Sequence, residues 1–215
     1  MGGDWFKAKG PEEMPDLTNE DIKEVASMGL ESDWSPPSSF PDLTKHDRIA
    51  IDLETRDPNL MKLGPGWCRK DGYVIGVAVA AGDFIAYYPI RHEGGGNLPP
   101  KKVFSWLKKQ METPHIEKVF HNSMYDLGWL RAEGIEVQGK IIDTMIAAPL
   151  LNENRRYYNL NSLAGEYLGE WKNEKMMNKA ADYFGVDPKS GMWQLPSRFV
   201  GAYAEQDARV TLKLW

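Results

Sequence analysis

From Arg48 onward, apolar and polar positions alternate. In R-I-A-I-D-L-E, Ile49, Ile51 and Leu53 fall on one side, which predicts a strand of period two. Tyr73 to Ala80 is an apolar, β-branched run and Asp83 to Ile90 alternates again, so two more strands are expected, joined as a hairpin at A-G-D. Ile116 to Phe120 reads as a fourth strand and Lys140 to Asp143 as a short fifth. Elsewhere the apolar spacing widens to a helical period. Pro99 and Pro100 open a helix carrying Val103, Phe104, Trp106 and Leu107. Further helices are expected over Ser123 to Glu133, Thr144 to Leu151, Leu160 to Leu168, Glu174 to Phe184, and from Pro196 to the end. Three strands in meander, then alternating helix and strand, then helices, describe an α/β domain on a mixed five-stranded sheet flanked by helices.

Residues 1–46 break this pattern. They carry Pro11, Pro15, Pro36, Pro37 and Pro41 with scattered acids, and read as an acidic, Pro-rich N-terminal arm before a domain at 47–215. One short helix is expected over about 19–28, and S-P-P-S-S-F-P reads as a linker or an extended segment lying on a neighbour. The loop R-H-E-G-G-G-N-L at 91–98 lacks the Lys-Ser/Thr ending of a phosphate-binding P-loop, so a flexible connection is expected. The last helical pattern reaches Trp215 without a Gly, Asn or Pro stop signal, which predicts a piece of a longer protein.

Composition narrows the classes. With 215 residues and 42% hydrophobic content, the chain can bury a sizeable single core. A lone cysteine, Cys68, excludes an intrachain disulfide and a Cys-rich zinc site, and suits a reducing cytoplasm. The longest apolar stretch, 74–82, is too short to span a bilayer, and the N-terminus has no signal-peptide core. A net charge of −5 argues against tight duplex binding until the chain is divided. Residues 1–44 hold 3 Lys against 10 acids, whereas the rest holds 23 basic and 21 acidic residues. The near-neutral remainder is compatible with phosphate contacts made through bound metal ions.

Three short motifs carry the chemistry. In I-D-L-E-T, Asp52 and Glu54 lie two apart on a strand and share a face; two carboxylates so close repel unless a cation or proton compensates. A solvated strand end can carry the same pair. In H-N-S-M-Y-D, Asn122 and Asp126 share a helix face beside Tyr125, although Asn122 or Ser123 as a cap and Asp126 at the positive helix end explain them equally. In Y-A-E-Q-D, Tyr203 and Asp207 are one turn apart, as a core tyrosine and a surface acid would also be. Each motif alone is weak. Jointly they offer four carboxylates and a phenol, an oxygen-only set suited to two Mg²⁺ or Mn²⁺ ions around a scissile phosphate.

In this order, D-x-E, N-x-x-x-D and Y-x-x-x-D resemble the three motifs of the DEDD exonuclease superfamily in its tyrosine branch. More narrowly, residues 47–215 resemble the 3′→5′ proofreading domain of bacterial and phage family A DNA polymerases. I-I-D-T-M-I-A-A-P-L-L, L-N-S-L-A-G-E-Y-L-G and Y-A-E-Q-D-A-R-V-T-L add matching pieces. The resemblance implies a ribonuclease H-like fold and a two-metal hydrolysis that releases nucleoside 5′-monophosphates from single-stranded DNA 3′ ends, in the (host) cytoplasm. It puts Asp52, Glu54 and Asp207 on one ion, with Asp52 bridging to a second that Asp126 helps to hold. It has Tyr203 orienting the attacking water. Leu53 and Thr55 would contact the terminal nucleotide, and Asn122 and Tyr125 the sugar-phosphate path. Leu60 or Met61 would wedge against the last base, His121 would approach phosphate, and Arg155 or Arg156 would add positive charge. Asp143 matches a recurrent position but reads as structural. A C-terminal polymerase domain is the implied partner. An RNase D-like exoribonuclease shares the motifs. A silent nucleic-acid-binding module would be expected to have lost one of the acids, and all four are present.

Overall fold

The computed structural model describes residues 30–215. A helix expected over 19–28 lies outside them. Five strands form one mixed sheet: β1 (Arg48–Arg56), β2 (Tyr73–Ala81), β3 (Phe84–Pro89), β4 (Glu117–Phe120) and β5 (Ile141–Asp143). Their order is β3-β2-β1-β4-β5, with β1 antiparallel to β2 and parallel to β4. The helices are α1 (Leu60–Leu63), α2 (Pro100–Met111), α3 (Ser123–Ala132), α4 (Thr144–Leu151), α5 (Leu160–Leu168), α6 (Lys175–Phe184) and α7 (Ser197–Leu214). All five strands and the long helices fall where the pattern places them, within a few residues. The four-residue α1 and the 3₁₀ turns at Gly66–Cys68 and Met192–Gln194 are additions. A single turn carries too few residues to show a period.

Alternation along β1 decides what each face buries. Ile49, Ile51 and Leu53 join the core under α2 and α3, with Val103, Leu107, Trp129 and Leu130. Ala50 joins the opposite core, with Phe199, Val200, Ala204 and Ala208 of α7. Asp52 and Glu54 share the parity of Ala50 and so face α7. A register shift between Glu54 and Thr55 bends β1 just after this pair.

Two expectations about the connecting segments are decided by packing. Residues 30–46, expected within an acidic, Pro-rich arm whose S-P-P-S-S-F-P stretch is a linker or an extended segment lying on a neighbour, take the second form: Leu30 and Leu43 are buried, and Phe40 lies against Tyr88 and Trp106. Tyr88 Oη donates to the Ser39 carbonyl at 3.0 Å and Trp106 Nε1 to the Pro41 carbonyl at 2.7 Å. A few large anchors outweigh an acidic, Pro-rich average. The Gly-rich loop is likewise a packing element. Glu93 N donates to the Trp193 carbonyl and Ser197 N to that of Gly95, and a Cβ at Gly94 would lie 2.3 Å from Pro196 N.

Trp34 supplies a test of the docked segment. Its ring lies on Gly201 of α7, where an ideal Cβ would be 2.0 Å from the indole, and its Nε1 donates to Glu205 Oε1 at 3.0 Å. Gly201→Ala is therefore expected to push Trp34 off, costing about 1–3 kcal/mol and opening 30–46 to proteolysis. A melting temperature and a tryptic pattern equal to the parent's would show that the segment does not depend on this contact.

Candidate metal centre

The site forms where β1 passes under α7. Ligand oxygens of Asp52, Glu54 and Asp207 all lie within 4.8 Å of one another. Asp207 is buried among α7 residues, one turn after Tyr203. The two β1 carboxylates are half-buried and open into the same space. Pairing of β1 with β4 runs only over Arg48–Ala50. Beyond it, Leu53 N is taken by a side chain of α3, the buried Asp126, whose Oδ1 accepts it at 3.0 Å. Thus three motifs distant in sequence converge, with Asp126 beside the tight group of three.

Crowding shows in the protonation of the metal-free site. Burial, then the Asp207 charge, pushes Asp52 up to about 7. Burial and Asp52 hold Glu54 well above the ordinary carboxylate range, and the same two causes raise Asp126. Asp207 is raised by burial against the pull of Lys172. Burial, then Glu54, drives the Tyr203 phenol upward, so it stays protonated.

Lys172 is the residue that sequence reasoning missed. It lies in the loop between α5 and α6, and its Nζ donates to Asp207 Oδ2 at 2.5 Å and to Tyr203 Oη at 3.5 Å. Burial pulls this ammonium down, and the Asp207 charge more than restores it. No spacing in E-W-K-N-E singles out a lysine that is brought in by tertiary packing. One ammonium cannot balance four carboxylates once they ionise, and Asp207 Oδ1 is buried without a hydrogen-bond partner. An oxygen-only donor set with an orphaned carboxylate oxygen fits a hard divalent cation. Because such a cation must displace protons, its affinity falls as pH drops.

Thr55 Oγ1 and Tyr125 Oη are hydrogen-bonded at 2.7 Å, and Tyr125 Oη also donates to Asp57 Oδ2 at 3.1 Å. His121 Nδ1 meets Thr144 Oγ1 at 2.8 Å, and burial holds its imidazole down at about 4, hence neutral. Asn122 is exposed in a left-handed conformation (φ 74°) and makes no side-chain cap. Asp143 caps α3 instead, accepting from Asn122 N at 3.0 Å and Ser123 N at 2.6 Å, and it caps α4 through Met145 N at 2.9 Å. That corrects the expected cap and gives Asp143 a structural task. Leu60 and Met61 are exposed on α1. Arg155 pairs with Glu166, and Arg156 is exposed with its guanidinium over the Tyr157 ring.

The 3′-5′ exonuclease family model of the A-type DNA polymerases matches residues 38–215. A DNA-directed DNA polymerase of Pseudomonas phage M6 is 41% identical over 191 residues, which are 86% of this chain and 29% of that polymerase. The chain thus spans less than a third of that relative. Among solved structures, Brucella melitensis NrnC with bound Mg²⁺ superposes with a TM-score of 0.55 at 20% identity, covering 84% of this chain and 75% of that one. Escherichia coli RNase D, an exoribonuclease, gives 0.55 at 17% identity, covering 93% and 42%. At such identities these two show the shared ribonuclease H-like exonuclease fold. Among the described residues, no helix is long and apolar enough to cross a membrane.

Proposed function

This chain belongs to the 3′–5′ exonuclease domain family of the A-type DNA polymerases, and on that premise we propose that it trims single-stranded DNA 3′ ends, releasing nucleoside 5′-monophosphates. The observation that carries this reading is the convergence of ligand oxygens of Asp52, Glu54 and Asp207 within 4.8 Å, with one Asp207 oxygen buried and unpartnered. Two Mg²⁺ or Mn²⁺ ions, when bound, would activate the attacking water and stabilise the leaving oxygen. Asp52, Glu54 and Asp207 would hold one ion, and Asp52 with Asp126 the other. The Mg²⁺ bound in NrnC supports the choice of metal.

The chain's own groups do the positioning. Tyr203, neutral and tethered near Lys172, orients the attacking water through its hydroxyl. Lys172 fixes Asp207 and adds a positive charge where negative charge develops on the phosphoryl oxygens. Leu53, Thr55, Leu60, Asn122 and Tyr125 line the approach of the terminal nucleotide, and His121 and Arg156 add contacts to the phosphates of the strand. Contacts to backbone and sugar make the reading sequence-blind. The polymerase relatives favour DNA over RNA as the substrate and a polymerase domain as the natural partner, acting together in proofreading.

A digest of matched DNA oligonucleotides, labelled at the 5′ or the 3′ end, tests this with Mg²⁺. The 5′ label is expected in a descending ladder, and the 3′ label in a mononucleotide from the first turnover. Release of the 5′ label first, or no trimming with Mg²⁺ or Mn²⁺, would sink the proposal. Faster cleavage of the matched RNA would reassign the chain to exoribonuclease chemistry.

A further inference from the structure

One residue from the Lys172 that holds Asp207 lies Trp171, in a groove of about 400 Å³ lined also by Arg155, Arg156, Tyr157, Gly165 and Glu166. The reaction as described does not use its floor. The Trp171 side chain is 67% exposed. It is nevertheless held in place. One face covers Gly165, where an ideal Cβ would lie 2.7 Å from the ring. Its carbonyl accepts from Gln206 Nε2 at 2.9 Å, and the next residue's amide, Lys172 N, donates to Asn161 Oδ1 at 3.0 Å. A large aromatic plane that is fixed and yet open to solvent is a binding surface in waiting.

Both walls lead to the metal centre. Trp171 precedes Lys172, whose ammonium sits on Asp207. On the other side Tyr157 precedes Tyr158, whose backbone is near enough to His121, the residue after β4, to act on its imidazole. Charge is available as well. Arg155 is committed to Glu166, but Arg156 has no acidic partner among the described residues and rests at 5.4 Å on the Tyr157 ring. A fixed aromatic plane, a second exposed ring and one uncommitted guanidinium match a nucleobase with its phosphate.

We propose that this groove seats a nucleotide of the single strand upstream of the scissile phosphodiester, its base stacked on Trp171 and its phosphate met by Arg156. The inference rests on the exonuclease reading and extends it from the reacting nucleotide to the strand behind it. The acceptance of any base follows, since every base offers a π-face.

Two substrates separate the groove from the centre: an octamer of thymidylate, and the p-nitrophenyl ester of thymidine 5′-monophosphate, which has no upstream nucleotide. Trp171→Ala is expected to lose about 10-fold in kcat/KM on the octamer, mainly through KM. The same variant is expected to hydrolyse the ester within about 2-fold of the parent. Trp171→Phe keeps most octamer affinity. Arg156→Gln, exposed and harmless to folding, weakens octamer binding by fluorescence anisotropy in EDTA and flattens its salt dependence. An octamer rate unchanged in Trp171→Ala overturns the proposal while leaving the exonuclease reading intact. So does an equal loss on both substrates, which would mean that Trp171 acts only through Lys172. A parent that hydrolyses neither substrate overturns the exonuclease reading, and this inference with it.

Discussion

Asp52→Ala is expected to reduce Mg²⁺-dependent trimming of a single-stranded 3′ end by more than ~10³-fold, because two bound ions share this carboxylate in the proposed centre. The same substitution is expected to raise the melting temperature of the metal-free protein. Asp52 is held at about 7 by burial and by the Asp207 charge. Its folded pKa thus lies above its unfolded value near 4, so stability is lost as pH rises from there to about 7, and the full cost is carried above that. At pH 8 in EDTA the parent bears that cost and the variant does not. Relief of about 1 kcal/mol corresponds to roughly 2–4 °C in a domain of this size. At pH 5.5 the parent keeps the proton and the difference shrinks. Differential scanning fluorimetry at the two pH values, paired with the 5′-labelled digest, reads both effects. Trimming at the parental rate would refute the assignment. A fall in melting temperature at pH 8 would make Asp52 a structural carboxylate and not a strained one.

That opposition of stability and activity explains why part of the site was legible in sequence. Asp52 and Glu54 stand at positions where the alternation set by Ile49, Ile51 and Leu53 calls for residues of the opposite face, and that face turned out to be the one under α7. Tyr203 and Asp207 are one turn apart in a helix whose period is plain. Such local periods fix which way a side chain points. They say nothing about what arrives from elsewhere. Lys172 comes from a loop and reaches Asp207 across 35 residues. Asp126 reaches Leu53 N across 73 residues, and only because β4 stops pairing at Ala50. Asp143 serves two helices at once, which no capping pattern read along one helix reveals. The packed segment 30–46 was hidden for a different reason. Its anchors, Trp34, Phe40 and Leu43, are diluted by Pro, Ser and acidic neighbours, so a composition average misses them.

Tyr203→Phe is expected to lower kcat by about 10²-fold, as misplacement of a reactant by an ångström does, with KM and octamer affinity close to the parent's. The two roles open to a phenol here, orienting a water or taking its proton, differ in what pH does. Burial and the nearby Glu54 charge drive the Tyr203 pKa upward, so phenolate is scarce across the working range. A base would need it. A hydroxyl that only orients does not, and the variant's pH–rate profile should keep the parent's shape at a lower level. Phenylalanine preserves the rest. Its ring fills the same place in the core beneath α7, and the Lys172 ammonium, 5.2 Å from the ring centroid in the parent, still meets an aromatic face. What is lost is the 3.5 Å approach of Lys172 to the hydroxyl and the hydroxyl's pull on the Asp207 carboxylate, so stability should change by about 1 kcal/mol. Single-turnover kinetics on the octamer from pH 6 to 9, with anisotropy for binding, distinguish the cases. Loss of a limb of the profile would make Tyr203 the base. A parental kcat would remove the hydroxyl from the chemistry, leaving Lys172 and the carboxylates as the groups around the attacking water.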